Sequence, residues 1–130
     1  MIKTVEPDLV VDLHVNADAA NERTQGTSVV YNDVFYRPGL TNAHAADVME
    51  RSLVTEIEGR ALGIFGDQQN KYPLLKMISS PAVSVEMGYL TNKEEAELLK
   101  KDSYQKKIAT GIYKGIEEIR KEVQRGEGNE

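Results

Sequence analysis

The sequence has no cysteine and no tryptophan, and only two phenylalanines, two histidines and four prolines. Without thiols there is neither a disulfide nor a thiolate metal site, so any metal must be held by His, Asp or Glu. With His14 and His44 as the only imidazoles, a three-histidine site within the chain is excluded too. Positive charge is in the minority: 16 Lys and Arg stand against 21 Asp and Glu, for a net charge of −5. That removes the basic surface that nucleic acid or anionic lipid requires. No apolar run approaches the roughly 18 residues of a membrane span. The opening MIKTVEPD lacks the apolar segment of a signal peptide, so no export signal is expected in the sequence as it stands.

What is present suits one globular domain. The chain has 130 residues, 40% of them hydrophobic and 28% charged, enough for a single core. DLVVDLHV, residues 8–15, reads as a strand buried on both faces or nearly so. A polar loop, NADAANERTQG, ends at Gly26, and TSVVYN is a second β run. DVFYRPGL then breaks the pattern at Pro38 and Gly39. Thr41 or Asn42 can cap a helix in which Ala45, Val48, Met49, Leu53 and Ile57 share one apolar face, with Gly59 as its stop. RALGIFGDQQNKY reads as loop or short extended structure, and PLLKMI as a helical turn.

PAVSVEMGYL is a strand, with Pro81 tolerated at its first position. The closing segment begins with Asn92 as a cap and acidic residues at the positive end of a helix dipole. Asp102 or Ser103 interrupts it and recaps a second helix, in which Tyr104, Ile108, Ile112, Ile116 and Ile119 form an apolar stripe. That stripe is core. Strands alternating with helices argue for an α/β fold with a largely parallel sheet. Residues 1–125 form the domain, and 126–130 a disordered tail.

Two ionisable residues sit where apolar strands end, His14 after LVVDL and Glu86 after AVSV. In open α/β sheets ligands gather outside the carboxyl ends of strands, and a carboxylate there is costly unless paired or working on a bound species. Each also has a structural explanation, a satisfied strand-end group. Alternation places Asp12, His14 and Asn16 on one face of the first strand, and Ala82, Ser84 and Glu86 on one face of the other.

With their flanks these residues resemble the zinc-dependent N-acetylmuramoyl-L-alanine amidases of bacterial cell-wall hydrolysis. The resemblance is carried by Leu13-His14-Val15-Asn16, Gly26, Leu75-Lys76, the run Pro81 to Asn92 with its following Glu-Glu-Ala, and Tyr104-Gln105. It covers residues 8–119 or so. It implies a mostly parallel twisted sheet flanked by helices, of the phosphorylase or zinc-exopeptidase kind, lacking its N-terminal part. It also implies one zinc ion, with His14 as a metal ligand and Glu86 as the catalytic general base. The substrate implied is peptidoglycan, cut between N-acetylmuramic acid and L-alanine, in the cell envelope or outside the cell. Asp12 and Asn16 are expected to orient His14 from behind.

The family's first zinc histidine, in a His-Gly-Gly turn, and its ligand glutamate have no counterpart here, and His44 lies on a helix where the family has an ordinary residue. The metal site therefore reads as incomplete, and the sheet is expected to have an unprotected edge. Three readings stand. One is the C-terminal portion of an amidase catalytic domain; another is a non-catalytic relative that binds peptidoglycan or a partner protein. The third is an unrelated α/β domain in which His14 and Glu86 are structural.

Overall fold

The computed structural model describes residues 7–33 and 39–128. The break expected at DVFYRPGL falls largely on residues 34–38, outside the described residues. Four strands, β1 (Val10–Asn16), β2 (Thr27–Tyr31), β3 (Ala61–Gly66) and β4 (Ala82–Tyr89), form one sheet in the order β1-β4-β2-β3. Helices α1 (Asn42–Ile57), α2 (Pro73–Met77), α3 (Lys93–Leu99) and α4 (Asp102–Gly128) complete the chain.

The β1–β4 and β2–β3 pairings are parallel, whereas β2 and β4 run antiparallel. The sheet is therefore mixed, because the α1 crossover joins only β2 to β3 while β4 inserts between β1 and β2. β3 is a full strand where loop or short extended structure was expected. Gly63 and Gly66 hide its pattern, and pairing with β2 overrides weak local propensity.

One face of the sheet is apolar. Val29, Val83 and Val85 pack there against Ala45, Ala46, Met49 and Leu53 of α1 and Ile108 and Ile119 of α4. The expected helix stripes are thus core, except for Ile116, which is 37% exposed. Thr41 caps α1 by accepting from the His44 N–H, and Asn92 caps α3 by accepting from the Glu95 N–H. The α1 stop falls one residue before Gly59: Glu58 takes the left-handed turn, with φ 53°, at a steric cost of about 1 kcal/mol. The tail expected over 126–130 is helical as far as Gly128, since an established helix propagates through single glycines at about 1 kcal/mol each; residues 129 and 130 lie outside the described residues.

The second face is divided. At one end α2 covers it with Leu75 and Ile78, packed against Val30, Ala82 and Val10. At the other end its side chains turn polar, and there the candidate site lies. Among the described residues β1 is an edge strand, and Leu13 and Val15 are 49% and 39% exposed on it.

Candidate functional site

His14 and Glu86 are register partners across the parallel β1–β4 pair, and Asp12 and Ser84 are partners one step below them. Residues paired in this way project to the same face of a sheet, so the four side chains form a two-by-two polar patch near the carboxyl ends of both strands. Glu86 is only 4% exposed, while the His14 side chain is 42% exposed. A buried carboxylate thus stands beside a solvent-facing imidazole.

Asp12 organises the patch. Its Oδ2 lies 2.6 Å from His14 Nε2 and accepts from the Ser84 hydroxyl at 3.1 Å. A carboxylate only accepts, so in the neutral ring Nε2 carries the proton and Nδ1 presents its lone pair. This is the arrangement of a metal-binding histidine held from behind by a carboxylate. Asn16, expected to share that task, does not: its side chain accepts from the Ala17 N–H. At this step the extra residue falls on β4, so Asn16 pairs with Tyr89 rather than with Gly88.

Tyr72 supplies what the sequence reading missed. Its hydroxyl donates a hydrogen bond to Glu86 Oε1, and its ring meets the His14 ring edge-on, with centroids 5.3 Å apart and planes at 75°. Burial, and then the bond to Glu86, hold the phenol above the usual tyrosine range, so it stays a donor. Asp67, 4% exposed, pins the loop that brings Tyr72 in: its carboxylate accepts from the Lys71 and Tyr72 N–H groups at 2.9 and 3.0 Å. Pro73 then starts α2, and a residue before proline is kept out of the helical region. A tyrosine between an aspartate turn and a helix-starting proline was the available signal. The other oxygen of Glu86, Oε2, is buried and has no hydrogen-bond partner among the described residues.

His44 lies elsewhere. It sits on α1, with Nε2 2.6 Å from Glu122 Oε2 of α4, and makes a surface link between helices. Leu90 is 59% exposed, whereas Tyr89 is half-buried. Arg23 is exposed in its loop.

A zinc site of the catalytic kind takes three protein ligands and an open position. Among the described residues no three His, Cys, Asp or Glu side chains are grouped to hold a metal. The patch fits part of such a site: one imidazole with a free nitrogen and an orphaned carboxylate oxygen beside it.

Fold and site together define an α/β protein with a polar, histidine-and-glutamate patch at the carboxyl ends of parallel strands. The chain belongs to the N-acetylmuramoyl-L-alanine amidase family (Amidase_3), whose model matches residues 1–118. It is 30% identical over 118 residues to the germination-specific N-acetylmuramoyl-L-alanine amidase of Bacillus subtilis (strain 168), covering 89% of this chain and 46% of that protein. Over 112 residues it is 30% identical to the endolysin of Bacillus phage SPP1, covering 86% of this chain and 40% of the endolysin. Its fold is similar to that of the CwlD amidase from Clostridioides difficile, solved in complex with the GerS lipoprotein. That likeness has a TM-score of 0.81 at 24% identity, and covers 92% of this chain and 58% of that one. The chain thus spans about half the length of the curated relatives it matches. No helix among the described residues is long and apolar enough to cross a membrane.

Proposed function

We propose that this chain serves the zinc-dependent hydrolysis of the amide bond between N-acetylmuramic acid and L-alanine in peptidoglycan, in the cell envelope or outside the cell. The observation that carries this reading is the His14–Glu86 register pair, with a buried Glu86 Oε2 that has no partner among the described residues and faces the same side as the imidazole. His14 is one zinc ligand, through Nδ1, with Asp12 fixing its tautomer. A zinc ion in such a site supplies Lewis acidity at a scissile carbonyl and a lowered pKa for water.

Glu86 does the proton work. Its Oε2 takes the proton of the attacking water and passes it to the leaving amine nitrogen, so one carboxylate acts as base and then as acid. Burial suits that task, because it keeps bulk water away and leaves the lone pair for the one attacking water admitted to the site. In this reading His14 supplies one of three zinc ligands; no three His, Cys, Asp or Glu side chains among the described residues are grouped to hold a metal.

The test uses a form of the protein in which the remaining zinc ligands are supplied, with zinc and purified peptidoglycan, reading metal uptake by equilibrium dialysis and newly exposed L-alanine amino groups. His14→Ala is expected to lose zinc and cleavage together. Glu86→Gln is expected to keep zinc and lose cleavage roughly 10²- to 10⁴-fold. Cleavage that survives Glu86→Gln, or zinc uptake that survives His14→Ala, overturns the assignment. A chain that retains peptidoglycan without cutting it favours the binding reading instead.

A further inference from the structure

We infer that Tyr72 is a positioning residue for both halves of the site: its hydroxyl fixes the Glu86 carboxylate with one oxygen engaged and the other free, and its ring edge sets the plane of the His14 imidazole. This rests on the reading of Glu86 and His14 given above, and it adds a residue that reading does not need. The contacts are the hydroxyl bond to Glu86 Oε1 and the 5.3 Å, 75° ring contact with His14.

A glutamate side chain has three rotatable bonds, and its two oxygens are chemically equivalent. Left free it would present either oxygen in many orientations, and fixing it during the reaction would cost rotamer entropy. The bond from Tyr72 removes that freedom when the protein folds. With Oε1 engaged, Oε2 becomes the oxygen that accepts a proton, and it is the atom left buried without a partner among the described residues. The ring contact acts on the other component. Asp12 fixes His14 through Nε2 but leaves rotation about that hydrogen bond open, and the Tyr72 edge closes it. Tyr72 is itself held at its backbone by Asp67 and packed with Leu75 and Ala82, so it is a rigid support for both groups.

Two variants separate the contacts. Tyr72→Phe keeps the ring and deletes the hydroxyl, whereas Tyr72→Leu deletes both. In proton NMR the hydroxyl bound to Glu86 should give a slowly exchanging downfield signal in the parent chain, absent from Tyr72→Phe and displaced in Glu86→Gln. Zinc uptake should be unchanged in Tyr72→Phe and about 10- to 100-fold weaker in Tyr72→Leu. In peptidoglycan cleavage Tyr72→Phe should lower kcat roughly 10- to 100-fold with KM unchanged, a split that a general loss of folded protein does not produce. An unchanged kcat in Tyr72→Phe, or a downfield signal that persists in it, overturns the inference. Cleavage that survives Glu86→Gln sinks the proposed function instead, and zinc uptake that survives His14→Ala does the same. In either case the downfield signal and the Tyr72→Leu zinc affinity still decide whether Tyr72 positions the two groups.

Discussion

Two carboxylates are buried near the carboxyl end of β4, and the protein treats them in opposite ways. Glu95, 8% exposed, is engaged by backbone: its Oε1 accepts from the N–H groups of Gly26 and Tyr89 at 2.9 and 3.0 Å. Through that oxygen α3 ties the start of β2 to the end of β4. Glu86, 4% exposed, has only the Tyr72 hydroxyl on one oxygen and nothing on the other among the described residues. An unmet polar atom in dry surroundings costs about 1–3 kcal/mol. Burial is common to both groups, so burial does not distinguish them. The unmet atom does, and it marks the group kept ready for a proton.

The contrast predicts its own test. Glu95→Ala strands two backbone N–H groups and should cost about 3 kcal/mol in urea unfolding. Glu86→Gln keeps the oxygen that accepts from Tyr72 and sets its amide nitrogen where an oxygen was already unmet, so it should stay within about 1 kcal/mol of the parent chain. An equal loss in the two variants would erase the distinction. Gly26 sharpens the Glu95 side of the comparison. Its φ is +126°, and a Cβ there would lie 2.8 Å from Arg60 O and from Leu62 Cγ. Gly26→Ala should therefore cost about 2 kcal/mol in thermal unfolding and, unlike His14→Ala, leave His14's contribution to zinc binding intact.

The two regions were not equally legible in the sequence. His14 and Glu86 stand out because each ends a run of apolar β-formers, and strand alternation then puts Asp12 and Ser84 on their face. The helix stripes and the Asn92 cap are equally local, since each is written within a few turns of chain. Tyr72 was hidden because its partners lie 14 and 58 positions away and are joined to it only when α2 folds over the sheet. The Glu95 joint depends likewise on Gly26, 69 positions earlier. β3 was obscured by its glycines, and the antiparallel β2–β4 pairing by the assumption that alternating strands and helices run one way. Local periodicity is written in neighbours, whereas closure of a site across strands is written in the tertiary fold.

On the Glu86 side, Asp12 gives the next test. Replacing its charge with an amide in Asp12→Asn weakens the anchor on His14 Nε2 and should lower zinc affinity about tenfold, with little change in unfolding, since Asp12 is 23% exposed at its side chain. Unaltered zinc affinity would mean that the imidazole is oriented without its carboxylate.

Glu50 is a third buried carboxylate and the mildest challenge to the rule. It lies on α1, 6% exposed, and its Oε2 accepts from the Gly63 N–H at 2.8 Å, so it belongs with Glu95 as a joint between helix and strand. Burial raises its pKa above the ordinary 4.5; the Gly63 N–H opposes that shift and the charge of Asp47 adds to it. A raised folded pKa means that the native chain binds this proton more tightly than the unfolded one. The stabilisation is complete below the unfolded value and is lost as pH rises through the folded value, so Glu50 gives unfolding free energy a downward slope above pH 4.5. Glu50→Gln has no proton to lose, and its amide oxygen can still accept from Gly63. It should flatten that slope and match or slightly exceed the parent stability near pH 7, by less than about 1 kcal/mol, in urea titrations run across the range. A variant less stable than the parent at neutral pH would show that the carboxylate charge itself holds β3 against α1. Glu50 would then be a joint that depends on ionisation, and the division between met and unmet oxygens would need charge as a second criterion.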